Sequence, residues 1–391
     1  MATLYDTATM LYVPSGYKAS KVYALKPTGA DGEGTATRST ISSRINSSGV
    51  VEESVAINTI AHDYGSVSSP LNCPEAIVSP DRTNHLLKSN VINTGESEWI
   101  GTASSGTAIT SPNGLTEGEE IVFSSSASDF VGQRPSGLSA GVEYTFFFWV
   151  RIADGGTAKD IRIQHYDGTS TNLLASPTIS SNEWVKVSYT FTATADATER
   201  VDIKNCTPGV AGSIYVWGAN VQKSGTDMHI TTTTSTASRS FDIIAFDDLQ
   251  TNNVFSNSSG TFFFYGTIGV DSGNNDLLSI WDTTTNNRII LEGGAFKSIV
   301  GGSAVTGLEV LSPSSNDRFT GAFAIAWDSS SCRISVNGAT ADASGLTSFA
   351  PATYSDLRIY GSSQASTTRI KAIAGWNAKL TQTELNTLTA L

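Results

Sequence analysis

The sequence predicts an all-β protein: two tandem antiparallel β-sandwiches that follow an irregular N-terminal segment and end in one short helix. Three observations carry this expectation. Glycine (35 residues), serine and threonine are abundant, only 15% of residues are charged and methionine occurs three times, a composition of short strands and many turns rather than of helices. The stretches 142–152 and 212–222 alternate with period two, as strands with two distinct faces do. The Thr/Ser-rich tract 223–240, which contains T-T-T-T-S-T-A-S and has no apolar periodicity, divides the chain. With 391 residues the chain exceeds the roughly 250–300 at which a single core stops growing, so more than one module is expected.

Residues 1–93 are poor in regular patterning and punctuated by turn formers at Pro14-Ser15-Gly16, Pro27-Thr28-Gly29, Asp31-Gly32 and Ser48-Gly49. So little apolar content buries little alone, which makes this segment a candidate anchor, docking on a partner or on copies of itself. Residues 94–222 read as a jelly roll. Tyr144, Phe146, Phe148 and Val150 alternate with Thr145, Phe147, Trp149 and Arg151, so both faces of this strand are apolar and its second face needs a cover. Strands at 120–124, 161–166, 184–194, 200–204 and 212–222 follow at sandwich spacing. Residues 223–240 read as a linker.

Residues 241–391 require a second sandwich, with strands at 260–270, 276–282, 288–292, 319–327, 333–336, 357–360 and 370–376. Asn337-Gly338 is a type I′ hairpin signal. Thr381-x-x-Glu384 is a capping box, Leu380 and Leu385 can staple it, and Leu385, Leu388 and Leu391 recur on one face of the helix that should follow.

Charge and cysteine content exclude several classes. A net charge of -12 with no run of basic residues argues against nucleic acid as a partner. Cys73, Cys206 and Cys332 have neither disulfide nor zinc spacing and read as buried thiols. No stretch approaches a membrane span, and residues 1–13 lack the pattern of an export signal, so assembly in a cytoplasm is expected.

For catalysis, the chain holds no E-x-D, the spacing that aims paired carboxylates from one strand face, and Asp276 and Asp282 flank the apolar Leu278 and Ile280 as the polar ends of a core face. His62, His85, His165 and His229 lie in separate segments without ligand spacing. No enzyme activity and no cofactor are expected. The loop from Asp271 through Asn274 to Asp276 offers hard oxygen ligands of the kind calcium uses, but the 12-residue EF-hand pattern is missing and a hairpin loop reads the same way.

A glycan site asks for aromatic platforms beside amides and guanidinium groups, because sugars present apolar C–H faces rimmed by hydroxyls. Arg162, Gln164 and Tyr166 alternate with Ile161, Ile163 and His165, which puts three such side chains on one strand face, with Phe147 and Trp149 as candidates for the same groove. A solvated sheet face has this pattern too. Trp184, Trp217, Trp281 and Trp327 read as core.

The residues also carry a resemblance. Y-V-W-G-A-N-V-Q at 215–222, followed by a Thr/Ser stretch and Ser238-Arg239-Ser240, resembles the end of the carbohydrate-binding-type jelly roll of tailed-bacteriophage tail and virion proteins. The N-terminal stretches 11–19, 37–40, 44–49, 73–74 and 80–84 resemble, in order, the N-terminal region of the same proteins. Residues 322–328 and 334–338 resemble adjacent strands of concanavalin A-like, laminin-G-type domains. This resemblance implies a homo-oligomeric virion protein, most simply a homotrimer, anchored to other virion proteins through residues 1–93 and displaying lectin-like modules as a tail or head fibre. Its alternatives are a purely structural decoration or tail component and, behind that, a polysaccharide depolymerase.

Overall fold

The computed structural model describes residues 4–15, 22, 24–26, 33–95, 97–224, 228–269, 276–282, 284, 286–292, 295–309, 318–341, 349–361 and 366–391. Half of the chain is strand, and Gln382–Thr389 is the one α-helix among these residues. The all-β expectation holds.

The jelly roll packs two antiparallel sheets face to face. One sheet runs Ser104–Ser105, Thr116–Phe123, Gly212–Lys223, Glu143–Ile152, Val185–Thr192; the other runs Thr171–Ala175, Lys159–Tyr166, Arg200–Asn205, Phe130–Gln133, Ile100–Gly101. Between them lies a core that includes Phe123, Phe146, Phe148, Ile161, Ile163, Val201, Ile203 and Val216. Each of these alternates with an outward residue on its strand, so the outer face of each sheet is set by what the other positions carry. The alternation also buries His165, whose Nε2 meets Glu199 Oε1 at 2.7 Å within the module.

The second body is a larger sandwich. Its nine-stranded sheet contains Thr368–Trp376, Ser259–Gly269, Arg318–Asp328, Cys332–Val336 and Ala339–Ala341, and its seven-stranded sheet contains Ser303–Glu309, Ala295–Val300, Arg288–Glu292, Asp276–Trp281, Asp356–Tyr360 and Ile243–Phe246. The remaining strands come from the N-terminal segment. Met10–Tyr12 pairs with Thr368–Trp376, Ala24–Lys26 extends from it, Ala61–Asp63 and Glu75–Val78 add beside it, and Thr35–Thr37 adds to the other sheet.

The docking expected of residues 1–93 therefore takes place on this chain's own sandwich. The physical reason is that the few apolar residues of the segment are spaced to fill seams: Met10, Tyr12, Val22, Ile60, Ala76 and Val78 all enter the core with Phe262, Phe323 and Leu357. In sequence order, the jelly roll is thus bracketed by strands of the second body.

Two further pieces join the bodies. The hairpin Ser42–Ile45/Val51–Val55 lies over the jelly roll and turns through Asn46, whose side-chain oxygen accepts from the amides of Ser48 and Val50. Gly49 is required in this turn: its φ is +74°, and a Cβ would sit 2.3 Å from the Val67 carbonyl oxygen. Arg82–Asn84 pairs with Ala237–Arg239 as a separate ribbon, so the tract expected to be a linker is partly strand, with Met228, His229 and Ile230 buried.

Local signals were realised as written. Asn337 and Gly338 both have positive φ and close the turn between Val336 and Ala339. The Thr381 hydroxyl accepts from the Glu384 amide, and the Glu384 carboxylate accepts from the Thr381 amide at 2.7 Å. The helix buries Leu385 and Leu388 against Ala322, Ala324 and Ala326, whose small side chains let it approach closely. Leu391, expected on the same face, lies beyond the helix and is 68% exposed. Trp217 and Trp327 are core, whereas Trp184 and Trp281 are half-buried under the guanidinium groups of Arg151 and Arg358. All three cysteines are free; Cys73 is exposed, because it sits in a turn rather than a strand.

Candidate functional site

The outer faces of the jelly roll differ in kind. On the sheet of Lys159–Tyr166, the outward positions form rows across paired strands. Leu173 opposes Gln164, Gln164 opposes Asp202, Asp202 opposes Gly132 and Gly132 opposes Ile100. In the neighbouring rows Tyr166 opposes Arg200, and Lys204 lies between Arg162 and Phe130.

Arg200 is the centre of this face. Its Nε and a terminal nitrogen donate to the two carboxylate oxygens of Asp202 at 2.5 and 2.9 Å, a bidentate pair. Its guanidinium lies 4.6 Å from the Phe130 ring centre and 5.8 Å from that of Tyr166, so one cation is held between two aromatic rings. Burial pushes the Asp202 carboxyl up, and the hydrogen bond and charge of Arg200 work against that rise. Gly132 leaves room at the middle of the face, since a Cβ there would come within 2.0 Å of Asp202 Oδ1. Gln164 is 7% exposed and its Oε1 has no hydrogen-bond partner.

Of the residues picked out in the sequence, Arg162, Gln164 and Tyr166 do share this face, while Ile161, Ile163 and His165 face the core. Arg162 is spent on structure, donating to the carbonyls of Asn205 and Ala127 at 2.9 Å each. The Tyr166 hydroxyl donates to the Gly168 carbonyl at 2.8 Å, which fixes the ring. Phe130, Gly132, Arg200 and Asp202 complete the site. The signal for Arg200 and Asp202 was the alternation R-V-D-I-K at 200–204, which aims Arg200, Asp202 and Lys204 outward beside Arg162, Gln164 and Tyr166.

Phe147 and Trp149 do not line this groove. They belong to the opposite sheet, and with Trp217 they are sealed under Ile45, Val51 and Val67. The sheet bulges at Gly218, whose φ of +68° and missing Cβ make room for the Trp149 ring. His229 lies against both tryptophans, 4.6 Å from Trp217 and 5.5 Å from Trp149. Asn220 Nδ2 donates to His229 Nδ1 at 2.8 Å, so in the neutral ring Nε2 carries the proton and faces Glu53 Oε1 and Asn90 Oδ1, each at 3.0 Å. Burial raises the Glu53 carboxyl, but hydrogen bonds from His229, Thr231 and Asn113 outweigh it and bring it down to about 2. The cavity left under this roof is about 30 Å³, a single water's share and too small for a sugar.

Of the calcium candidates, Asp271 and Asn274 lie outside the described residues. Asp276 begins a strand opposite Glu292. Among the described residues no group of three or more His, Cys, Asp or Glu side chains is placed to hold a metal ion.

Residues 83–209 match the carbohydrate binding domain family, a match covering about a third of the chain. The jelly roll is thus a carbohydrate-binding module. No curated protein matches the chain. Among solved structures, it is similar to the family 22 carbohydrate-binding and GH10 modules of a Clostridium thermocellum endo-1,4-β-D-xylanase, complexed with xylohexaose (19% identity, 38% of this chain and 28% of that one, TM-score 0.28). It is also similar to the xylan-binding domain of a Paenibacillus barcinonensis protein (8% identity, 40% and 99%, TM-score 0.30) and to the N-terminal cellulose-binding domain of a Cellulomonas fimi β-1,4-glucanase (14% identity, 35% and 96%, TM-score 0.25). The chain thus spans little more than a quarter of the length of the first.

Proposed function

We propose that the protein is a non-enzymatic glycan-binding protein whose jelly roll holds a saccharide on the open face around Arg200. The observation that carries this reading is the half-exposed guanidinium clamped by Asp202 between Phe130 and Tyr166. The rings offer apolar platforms for sugar C–H faces, and Gln164 and Lys204 offer hydrogen bonds to the hydroxyl rim. A few stacking and hydrogen-bond contacts of this kind give millimolar recognition, roughly 4 kcal/mol, which display of several copies raises by avidity.

The resemblance of residues 11–84 and 215–240 to phage virion proteins supports a role as a tail or head appendage, with a concanavalin A-like second sandwich and a homotrimeric assembly. In that setting the module would hold the particle on host or environmental polysaccharide. The rival is a purely structural component, favoured by the commitment of Arg162 to backbone carbonyls.

Binding to a panel of immobilised plant, capsular and cell-wall glycans tests the reading. Tyr166→Ala and Phe130→Ala should each weaken binding about tenfold, the loss of one stacking contact, with the melting temperature nearly unchanged. Binding retained in both variants sinks the site.

A further inference from the structure

Lys159 lies at one end of the jelly-roll core and is only 3% exposed. Strand register puts it there. Ile161 opposes Asn205 across the paired strands Lys159–Tyr166 and Arg200–Asn205, and Lys159, two positions before Ile161, points to the same inner side. Lysine is rarely buried without a carboxylate to pair with, and among the described residues none pairs with this one. Its Nζ donates instead to Asn205 Oδ1 at 2.5 Å and to the Val210 carbonyl at 2.7 Å, beside the Phe123 ring at 5.2 Å. The stem passes close to Gly212, where a Cβ would sit 3.2 Å from Lys159 Cδ.

The Asn205 side chain is fully buried and its orientation is fixed. Its Nδ2 donates to the carbonyls of Ser124 and Ser126 at 2.8 and 2.9 Å, so Oδ1 is the end that faces Nζ. That oxygen also accepts from the Cys206 amide at 2.9 Å and lies 3.6 Å from Cys206 Sγ. Donors converging on one amide oxygen polarise the carbon behind it, which is how acyl-transfer sites prepare a carbonyl for attack. Cys206 Sγ is also 3.9 Å from Lys159 Nζ. The thiol therefore borders both the amine and the amide, with an accessible proton to exchange between them.

We propose that Lys159 and Asn205 join in an intramolecular isopeptide bond, a self-modification that staples from within the two strands carrying Gln164, Tyr166, Arg200 and Asp202. The neutral amine attacks Asn205 Cγ, a new C–N bond forms, and the Cγ–Nδ2 bond breaks with release of ammonia. The proton given up by Nζ passes through Cys206 Sγ to the departing Nδ2. The step needs no oxidant or reductant. Burial holds the two groups together and excludes the water that would hydrolyse the amide instead.

The intact mass of the full chain, measured under denaturing conditions, tests this. It should lie about 17 Da below the mass of the sequence, the weight of the ammonia released. Proteolysis should yield one branched peptide that joins the segments around Lys159 and Asn205. Lys159→Arg keeps a cation but removes the primary amine, and should show its full sequence mass whether or not it folds as well as the parent. Cys206→Ala should slow closure at least about a hundredfold, followed by mass in freshly synthesised chain. A parent chain at its full sequence mass overturns the proposal. So does the same deficit persisting in Lys159→Arg, which makes it the cyclisation of an asparagine elsewhere. Closure at the parent rate in Cys206→Ala overturns the part assigned to the thiol.

Discussion

The two outer faces of the jelly roll come from strands with the same period, yet one is sealed and the other open. Phe147, Trp149 and Trp217 carry the larger apolar surface and are covered by the hairpin Ser42–Ile45/Val51–Val55. Arg162, Tyr166 and Arg200 carry a mixed surface and stay half-exposed. The difference teaches that outward aromatic residues in a sandwich call first for a cover, because so large an apolar area left in water costs several kcal/mol. A ligand face instead mixes a few rings with polar groups already held in place.

The strongest way to break this comparison is to truncate one aromatic residue on each face. Trp217→Ala should cost about 3–5 kcal/mol, read by denaturant unfolding, because the ring is enclosed by Trp149 and His229. Tyr166→Ala should stay within about 1 kcal/mol of the parent, as changes at partly exposed positions usually do. Similar costs at both sites would mean that the polar face is load-carrying too.

A smaller change sharpens the picture of the open face. Gly132→Ala should cost about 1–3 kcal/mol through overpacking, because the new methyl group meets Asp202 Oδ1 and the Val201 carbonyl oxygen. Displacing Asp202 releases Arg200, so glycan binding should fall in step. Stability lost with binding retained would separate Arg200 from recognition.

Acid titration distinguishes the roof from the second body. His62, beside the Tyr12 hydroxyl at 3.4 Å, has its pKa lowered from 6.5 to about 4, first by burial and then by the charge of Arg44. The unfolded chain takes up this proton first, so the stability His62 contributes is complete above about pH 6.5 and is lost as pH falls toward 4. Glu53 is lowered from 4.5 to about 2, so its contribution is present above about pH 4.5 and is lost below that, as pH falls toward 2. Unfolding followed against pH should therefore weaken in two steps, the first absent in His62→Gln and the second in Glu53→Gln. A single step surviving both substitutions would place the acid sensitivity elsewhere.

What the sequence made legible was local. The capping box at Thr381, the turn at Asn337-Gly338 and the alternation at 161–166 each depend on residues a few positions apart, and each was realised. The roof was not legible, because Glu53 meets His229 across 176 residues and nothing in the short apolar pieces of 42–55 names their partner. The N-terminal strands were hidden for the same reason. Three-residue strands such as Met10–Tyr12 and Ala61–Asp63 carry too few positions for a period to show, and only the sheet they join makes them strands. Arg162, Gln164 and Tyr166 were readable from one strand; Arg200 and Asp202 alternate in the same way on another, and Gly132 and Phe130 required the register of a neighbouring strand.

The pairing of Met10–Tyr12 with Thr368–Trp376 also sets the order of events during synthesis. Ribosomes add roughly 5–20 residues per second, so the first strand waits on the order of half a minute for its partner to emerge. The jelly roll, from Ile100–Gly101 to Gly212–Lys223, is complete long before that. It can fold while the strands that precede it are still unpaired, and the hairpin of residues 42–55 then has a finished surface to settle on. The newborn chain would thus carry a folded sugar-binding module while the sandwich that encloses both its ends was still waiting for its central strands.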